Sequence, residues 1–179
     1  MMRSILITAI ALSVLGCHDT STAPSLTPPD RDTGALFQTD SLSYTLVDVG
    51  AWQANIGIQF TNKTAATTYF ANCNGYSALH LEKFVDAAWK HAWLAIIPSC
   101  ASLPVAVEPN ATYSPRIQLV AGHAGSNVGQ QFELEPIDGI YRIVWTRTPS
   151  TVRDDANLEN LLALEQRISN RFLLKTARK

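Results

Sequence analysis

Charge is scarce in this 179-residue chain, with 14 Lys and Arg against 15 Asp and Glu and a net charge of −1. Over residues 37–179 the balance is even, at 12 of each sign. No basic stripe is present, so the chain lacks the electrostatic footprint of a nucleic-acid binder. Long apolar runs are also missing: none reaches the roughly 18 to 20 residues that a bilayer-spanning helix needs. The three cysteines, Cys17, Cys73 and Cys100, and the four histidines form no C-x-x-C and no H-x-x-x-H spacing. A metal site from Cys73, Cys100, His80 and His91 is therefore not expected. Neither G-x-S-x-G nor a P-loop lysine occurs, and Asp154-Asp155 lacks the regularly spaced oxygen ligands of a calcium loop. No cofactor is expected, and no internal repeat is visible.

What is present begins at the N-terminus. Arg3 supplies a positive n-region, and Ile5 to Leu12 an apolar h-region of secretory-signal length. The run closes on Val14-Leu15-Gly16-Cys17, which resembles the lipobox of bacterial lipoproteins. That resemblance implies a signal peptide over residues 1–16, cleavage after Gly16, and an acylated, palmitate-bearing Cys17 as lipid attachment site. Several acyl chains, each buried methylene contributing roughly 0.8 kcal/mol, anchor stably where one does not. Residues 17–36 are rich in serine, threonine and proline, and between Cys17 and Gly34 only Leu26 is bulky and apolar. Such a segment reads as a flexible tether. His18, where inner-membrane lipoproteins tend to carry Asp, leans the expected address toward the outer membrane. The bacterial reading leaves the sequons at Asn62 and Asn110 without a glycosylation role.

Residues 37–179 form one domain of single-core length. Tyr44 to Val49 is rich in β-formers. From Trp52 to Asn62 apolar and polar residues alternate, placing Trp52, Ala54, Ile56, Ile58 and Phe60 on one face. Further strands are expected at Thr67–Ala71, Leu103–Val107, Tyr113–Val120, Phe132–Glu135 and Ile140–Trp145, with Pro115 marking an edge. Short strands at these intervals predict an all-β, antiparallel β-sandwich. Residues 76–96 carry either a helical stripe (Leu81, Phe84, Val85, Ala88, Trp89) or a hairpin turning at Val85 to Ala88. Residues 158–168 are open between helix and loop. With Cys17 acylated, Cys73 and Cys100 form an even pair, and in an oxidising compartment a disulfide is expected. It would stabilise the fold by roughly 3 kcal/mol.

The order of features resembles immunoglobulin-like domains of small bacterial lipoproteins, akin to intracellular proteinase-inhibitor-like domains. The resemblance rests on the turn at Asn62, Tyr69-Phe70 before Cys73, and Leu81-Glu82-Lys83 to Trp89. It continues with Pro109-Asn110-Ala111-Thr112-Tyr113, Gly139 to Ile143, and Leu164 to Phe172 as a closing strand. It implies an immunoglobulin-like β-sandwich, and a tyrosine-corner role for Tyr141. The function expected is a non-enzymatic protein-interaction or structural module of the cell envelope, held to the membrane through Cys17. An envelope protein is its expected partner, protease inhibition is one form by fold analogy, and oligomeric state is open. The alternative is an envelope ligand-binding or hydrolytic domain using the His123 loop with Asp154-Asp155; the favoured account of residues 121–129 is a flexible inter-strand loop.

Overall fold

The computed structural model describes residues 26–73, 78–97, 102–127, 129–153 and 159–177. The expectations at Cys17, Cys100, Asp154-Asp155 and residues 1–16 lie outside these. The described residues form eleven strands: β1 (Phe37–Thr39), β2 (Ser43–Asp48), β3 (Trp52–Thr61), β4 (Thr68–Phe70), β5 (Leu79–Val85) and β6 (Ala88–Leu94), then β7 (Val105–Val107), β8 (Thr112–Tyr113), β9 (Arg116–Ala121), β10 (Gly139–Trp145) and β11 (Phe172–Thr176). Hydrogen bonding runs β1-β3-β2-β11-β10-β5-β6, with β8 and β9 also on β3, while β4 and β7 pair separately. Among the named strands the pairings are antiparallel except β2 with β11, which is parallel.

The long strand β3 meets β2 only at Trp52 and Gln53 and gives the rest of its length to β9, β1 and β8. The sheet folds over at that junction so that its two parts face each other across the core. Phe37 of β1 stacks on Trp145 of β10 at 3.9 Å, and Trp93 of β6 donates its indole N–H to Val120 O of β9. These contacts make an all-β sandwich. Alternation along β3 buries Ala54, Ile56, Ile58 and Phe60 against Leu81, Tyr141, Ile143 and Phe172 of the other layer. Full burial of each large side chain stabilises by about 1.5–3 kcal/mol.

A crossing between β1 and β2 holds the layers in register. Asp40 N donates to Gly57 O at 2.9 Å, and Asp40 Oδ1 accepts from Gly57 N at 3.2 Å and from the Tyr44 hydroxyl. A Cβ at Gly57 would stand 2.2 Å from Asp40 Oδ2, so the close approach requires glycine. Beside it, the buried Asn170 accepts Thr39 N at 2.6 Å and donates to Thr39 Oγ1 at 2.8 Å. At the far end of β3, Asn62 is completely buried and donates to Ala66 O and Val107 O, both at 2.8 Å.

The two open segments resolve differently. Residues 79–94 are the β5–β6 hairpin, with Asp86 (φ 52°) and Ala87 (φ 60°) both left-handed at its two-residue turn. Two positive φ values make a turn whose twist suits a hairpin. Residues 164–167 form a single 3-10 turn. The expected closing strand therefore starts at Phe172 rather than Leu164. Phe132–Glu135 is not a strand either, because Glu133 N caps Ala92 O on β6 without a ladder. Pro115 splits the expected 113–120 strand into β8 and β9, and β9 pairs only with β3 among the described residues, at an edge. Asn110 takes the left-handed φ of 62° at the turn before β8.

Replacing Gly57 by Ala is expected to cost about 1–3 kcal/mol, as over-packing of a tight core contact does. Urea unfolding of G57A against wild type checks this, and an unchanged midpoint would refute the Asp40 constraint.

Candidate functional site

At one pole of the sandwich the strand ends form a cleft of about 1170 Å³. Its geometry starts from one cross-strand row: Asp48 ends β2 opposite Trp52, and Trp52 starts β3 opposite Ala121 of β9. Gly50, at φ +89°, makes the turn between β2 and β3, and its N–H also donates to Asp48 Oδ1. Two residues past Ala121 the chain reaches His123, whose Nε2 lies 3.0 Å from Asp48 Oδ1. The imidazole stands edge-on to Trp52 with ring centroids 5.2 Å apart. The loop carrying it is braced by Gln131, which accepts Gly125 N at 3.1 Å and donates to Ser126 O at 2.5 Å.

The opposite wall is residues 135–138. Tyr141, fully buried, donates its hydroxyl to Ile137 O at 2.6 Å, four residues upstream, as the tyrosine-corner reading expected. Lys83 points inward beneath the same loop and donates Nζ to Pro136 O. Burial lowers the Lys83 pKa, and the carboxylates of Glu135 and Asp138 oppose that shift. Burial likewise raises the Tyr141 hydroxyl, keeping it a neutral donor. Asp138 Oδ1 accepts both Thr176 N at 2.7 Å and Thr176 Oγ1 at 2.9 Å, tying this wall to β11. Thr45, Leu173 and Lys175 form the floor, and Leu26 reaches the rim from the N-terminal segment.

The sequence singled out His123 but not its neighbour, and the structure gives it a carboxylate partner 75 residues away. Asp48, Trp52, Glu135, Asp138 and Lys175 were not singled out as site residues. Trp52 had been placed with the buried stripe, yet as the first residue of its strand it stands at the pole, half-buried. The arrangement can accept hydrogen bonds, supply an imidazole and offer an aromatic wall. The Thr176 hydroxyl is committed to Asp138, which leaves it poorly placed as a nucleophile for His123.

A second polar cluster lies on the outer face of β10, β5 and β6. Arg142 pairs with Glu82 at 2.6 Å and lies 4.3 Å over the Trp89 ring. His80 and His91 stand 4.9 Å apart, each beside a glutamate, Glu82 at 3.4 Å and Glu133 at 3.0 Å. Burial lowers the His80 pKa, against the pull of the Glu82 hydrogen bond. Among the described residues, no group of three or more His, Cys, Asp or Glu side chains could hold a metal ion. Cys73 is fully buried and held in a disulfide.

Comparison with known proteins adds little. No family model matches the chain. No curated protein matches it either. Among solved structures, the alkylpurine DNA glycosylase AlkC from Pseudomonas fluorescens, bound to DNA containing an abasic site analog, matches at 12% identity and a TM-score of 0.32. The match covers 78% of this chain and 30% of that one, and at this TM-score it carries no argument.

His123 and Asp48 are partly exposed, at 40% and 22%, so their pairing is worth under about 1 kcal/mol. A double-mutant cycle with H123A and D48A is expected to give a coupling no larger than that in unfolding free energy, and a coupling above 2 kcal/mol would make the pair a structural element. His80 behaves differently. Its folded pKa lies below 6.5, so the unfolded chain binds the extra proton and stability falls as pH drops through and below 6.5. H80Q is expected to lose less Tm than wild type between pH 7 and pH 5, and equal losses would count against this.

Proposed function

We propose that this protein is a lipid-anchored, non-enzymatic binding module of the bacterial cell envelope, whose immunoglobulin-like sandwich recognises an envelope protein partner at the His123 cleft. The observation that carries the binding surface is the cleft itself. Both of its walls are braced by side-chain hydrogen bonds: Gln131 on one side, and Tyr141, Lys83 and Asp138 on the other. Such bracing holds a recognition surface in shape before a partner arrives, which lowers the ordering cost of binding. Strand addition, the other mode open to a sandwich, has less support at β6. There Glu133 N occupies Ala92 O, and Lys90 guards the open end of the edge.

The immunoglobulin-like assignment is supported by the parallel pairing of β2 with β11 beside antiparallel strand pairs, and by the Tyr141 hydroxyl bond to Ile137 O. The anchor is proposed from Val14 to Cys17, and the outer membrane from His18. For the disulfide of Cys73, Cys100 is the proposed partner, since acylation removes Cys17 from the count. A second reading, a hydrolytic or small-ligand domain, draws on the Asp48–His123 contact alone.

A photo-crosslinking residue in place of Ala124, in the full chain in its own membrane, is expected to capture a discrete envelope protein, and W52A in the same chain to lose it. Turnover of an envelope ester or peptide that depends on His123, without such capture, would favour the second reading. C17S is expected to leave the membrane fraction, and retention there would refute lipidation.

A further inference from the structure

One edge of β9 is open, and the phase of its pairing with β3 shows which backbone groups face outward. Ile58 N donates to Pro115 O at 2.9 Å, so these two residues form a bonded pair. Bonded and non-bonded pairs alternate along an antiparallel ladder. The bonded pairs that follow are Ile56 with Ile117, Ala54 with Leu119 and Trp52 with Ala121. Arg116, Gln118 and Val120 therefore turn their N–H and C=O groups away from β3. Among the described residues, those of Arg116 and Gln118 and the Val120 N–H meet no partner, while Val120 O accepts the Trp93 indole N–H at 3.3 Å. The open stretch is bounded at both ends. Pro115 precedes it with no N–H to offer, and Gly122 N beyond it is taken by Gln130 O. The same three residues carry the exposed side chains of the strand, whereas Ile117, Leu119 and Ala121 are buried. Arg116 is the lone charge along this stretch, and neither a bulge nor an inward-pointing charge interrupts it. At its centre Gln118 stands opposite Asn55 of β3, and both are exposed. A carboxamide is donor and acceptor at once, so it complements a copy of itself where a charged group would repel one.

We propose that β9 pairs antiparallel with β9 of a second copy of this chain, about a twofold axis at Gln118. The outward groups at Arg116, Gln118 and Val120 are symmetric about Gln118, which fixes the register. Gln118 faces its own mate, and Arg116 faces Val120 of the second copy. Each facing pair exchanges backbone hydrogen bonds in both directions, and Val120 O keeps a second lone pair for the incoming Arg116 N–H. The cross-strand row of Asn55 and Gln118 then continues into Gln118 and Asn55 of the other copy, carboxamide against carboxamide. Charge selects this register over its neighbour. A twofold at Ile117 would set the two Arg116 side chains diagonally adjacent, about 7–8 Å apart. At Gln118 they lie four residues apart along the strands, about 13 Å, which exceeds the Debye length of about 8 Å at physiological salt. The contact is isologous, so it closes at two copies and leaves no further β9 edge open. So short an edge belongs with the small interfaces, below about 1,200 Å², that associate weakly and reversibly. The pairing is separate from the cleft and holds whether or not the cleft binds a partner.

The test uses the full chain in detergent with a short thiol-to-thiol crosslinker, and wild type as the background for its own cysteines. At the twofold the two Gln118 Cα atoms are expected about 5.5 Å apart, so Q118C is expected to yield a covalent dimer. Asn55 and its mate are three strand spacings apart, about 14 Å, and N55C is expected to yield none. R116C and V120C are each expected to stay uncrosslinked alone and to crosslink when mixed. The second arm is sedimentation. Q118K and Q118E each place like charges at the axis and are expected to weaken association about tenfold or more, with Tm unchanged because the side chain is exposed. Mixed in equal amounts, the two variants are expected to associate again. No crosslink at Q118C above wild type, a crosslink at N55C equal to that at Q118C, Q118K associating as wild type does, or a mixture of Q118K and Q118E no more associated than either alone would each overturn the proposal.

Discussion

The carboxylate of Asp40 is where the two layers of this sandwich are joined. Over a few residues the chain leaves β1, which pairs with β3 in one layer, and enters β2, which pairs with β11 in the other. A chain that changes sheets exposes backbone donors at the bend, and each left unsatisfied in a core costs about 1–3 kcal/mol. Asp40 meets that need by accepting from Gly57 N and the Tyr44 hydroxyl, with Asn170 covering Thr39 N. Desolvation is the main cause of the raised Tyr44 pKa, with the Asp40 hydrogen bond adding to it, so the phenol stays a donor. Gly57 is the steric condition for all of it.

The cleft follows from that crossing. Because β2 runs parallel to β11 after the bend, it delivers Asp48 to the same pole as Thr176, with Trp52 and Ala121 in the adjacent row. Braced loops then add His123 on one side and residues 135–138 on the other. The Gln131–Ser126, Tyr141–Ile137 and Asp138–Thr176 hydrogen bonds are part-buried or buried, whereas Leu26 and the His123 imidazole stay open to solvent at the rim.

Much of the fold was legible along the chain. The alternation from Trp52 to Phe60 named its buried face correctly, because a half-buried strand has a period of two whatever it packs against. The turn at Asn62 followed from local chemistry as well, whereas Pro115 was read as an edge mark within one strand and in fact divides it into β8 and β9. The segment over residues 76–96 was not decidable locally. Its apolar residues satisfy a period of 3.6 and a two-sided hairpin alike, and pairing of Phe84 with Trp89 and of β5 with β10 decides between them. The closing strand was placed too early because the resemblance ran it from Leu164, whereas the chain makes a 3-10 turn over Leu164–Arg167 before Asn170 reaches Thr39. At the site, His123 drew attention as a histidine among glycines, but no spacing rule reaches Asp48 across 75 residues.

By itself, the sequence determined the class of the domain and carries the proposal of its address: alternation makes strands, an even charge balance disfavours nucleic acid, and the proposed anchor rests on the lipobox-like Val14 to Cys17. Those properties depend on neighbours along the chain, so they are written locally. Tertiary structure alone decided that Asp48, Trp52 and His123 meet, that residues 135–138 face them, and that Leu26 returns to the rim. Each of these contacts joins segments brought together by the Asp40 crossing and the parallel pairing of β2 with β11, and such pairings have no signature in local order.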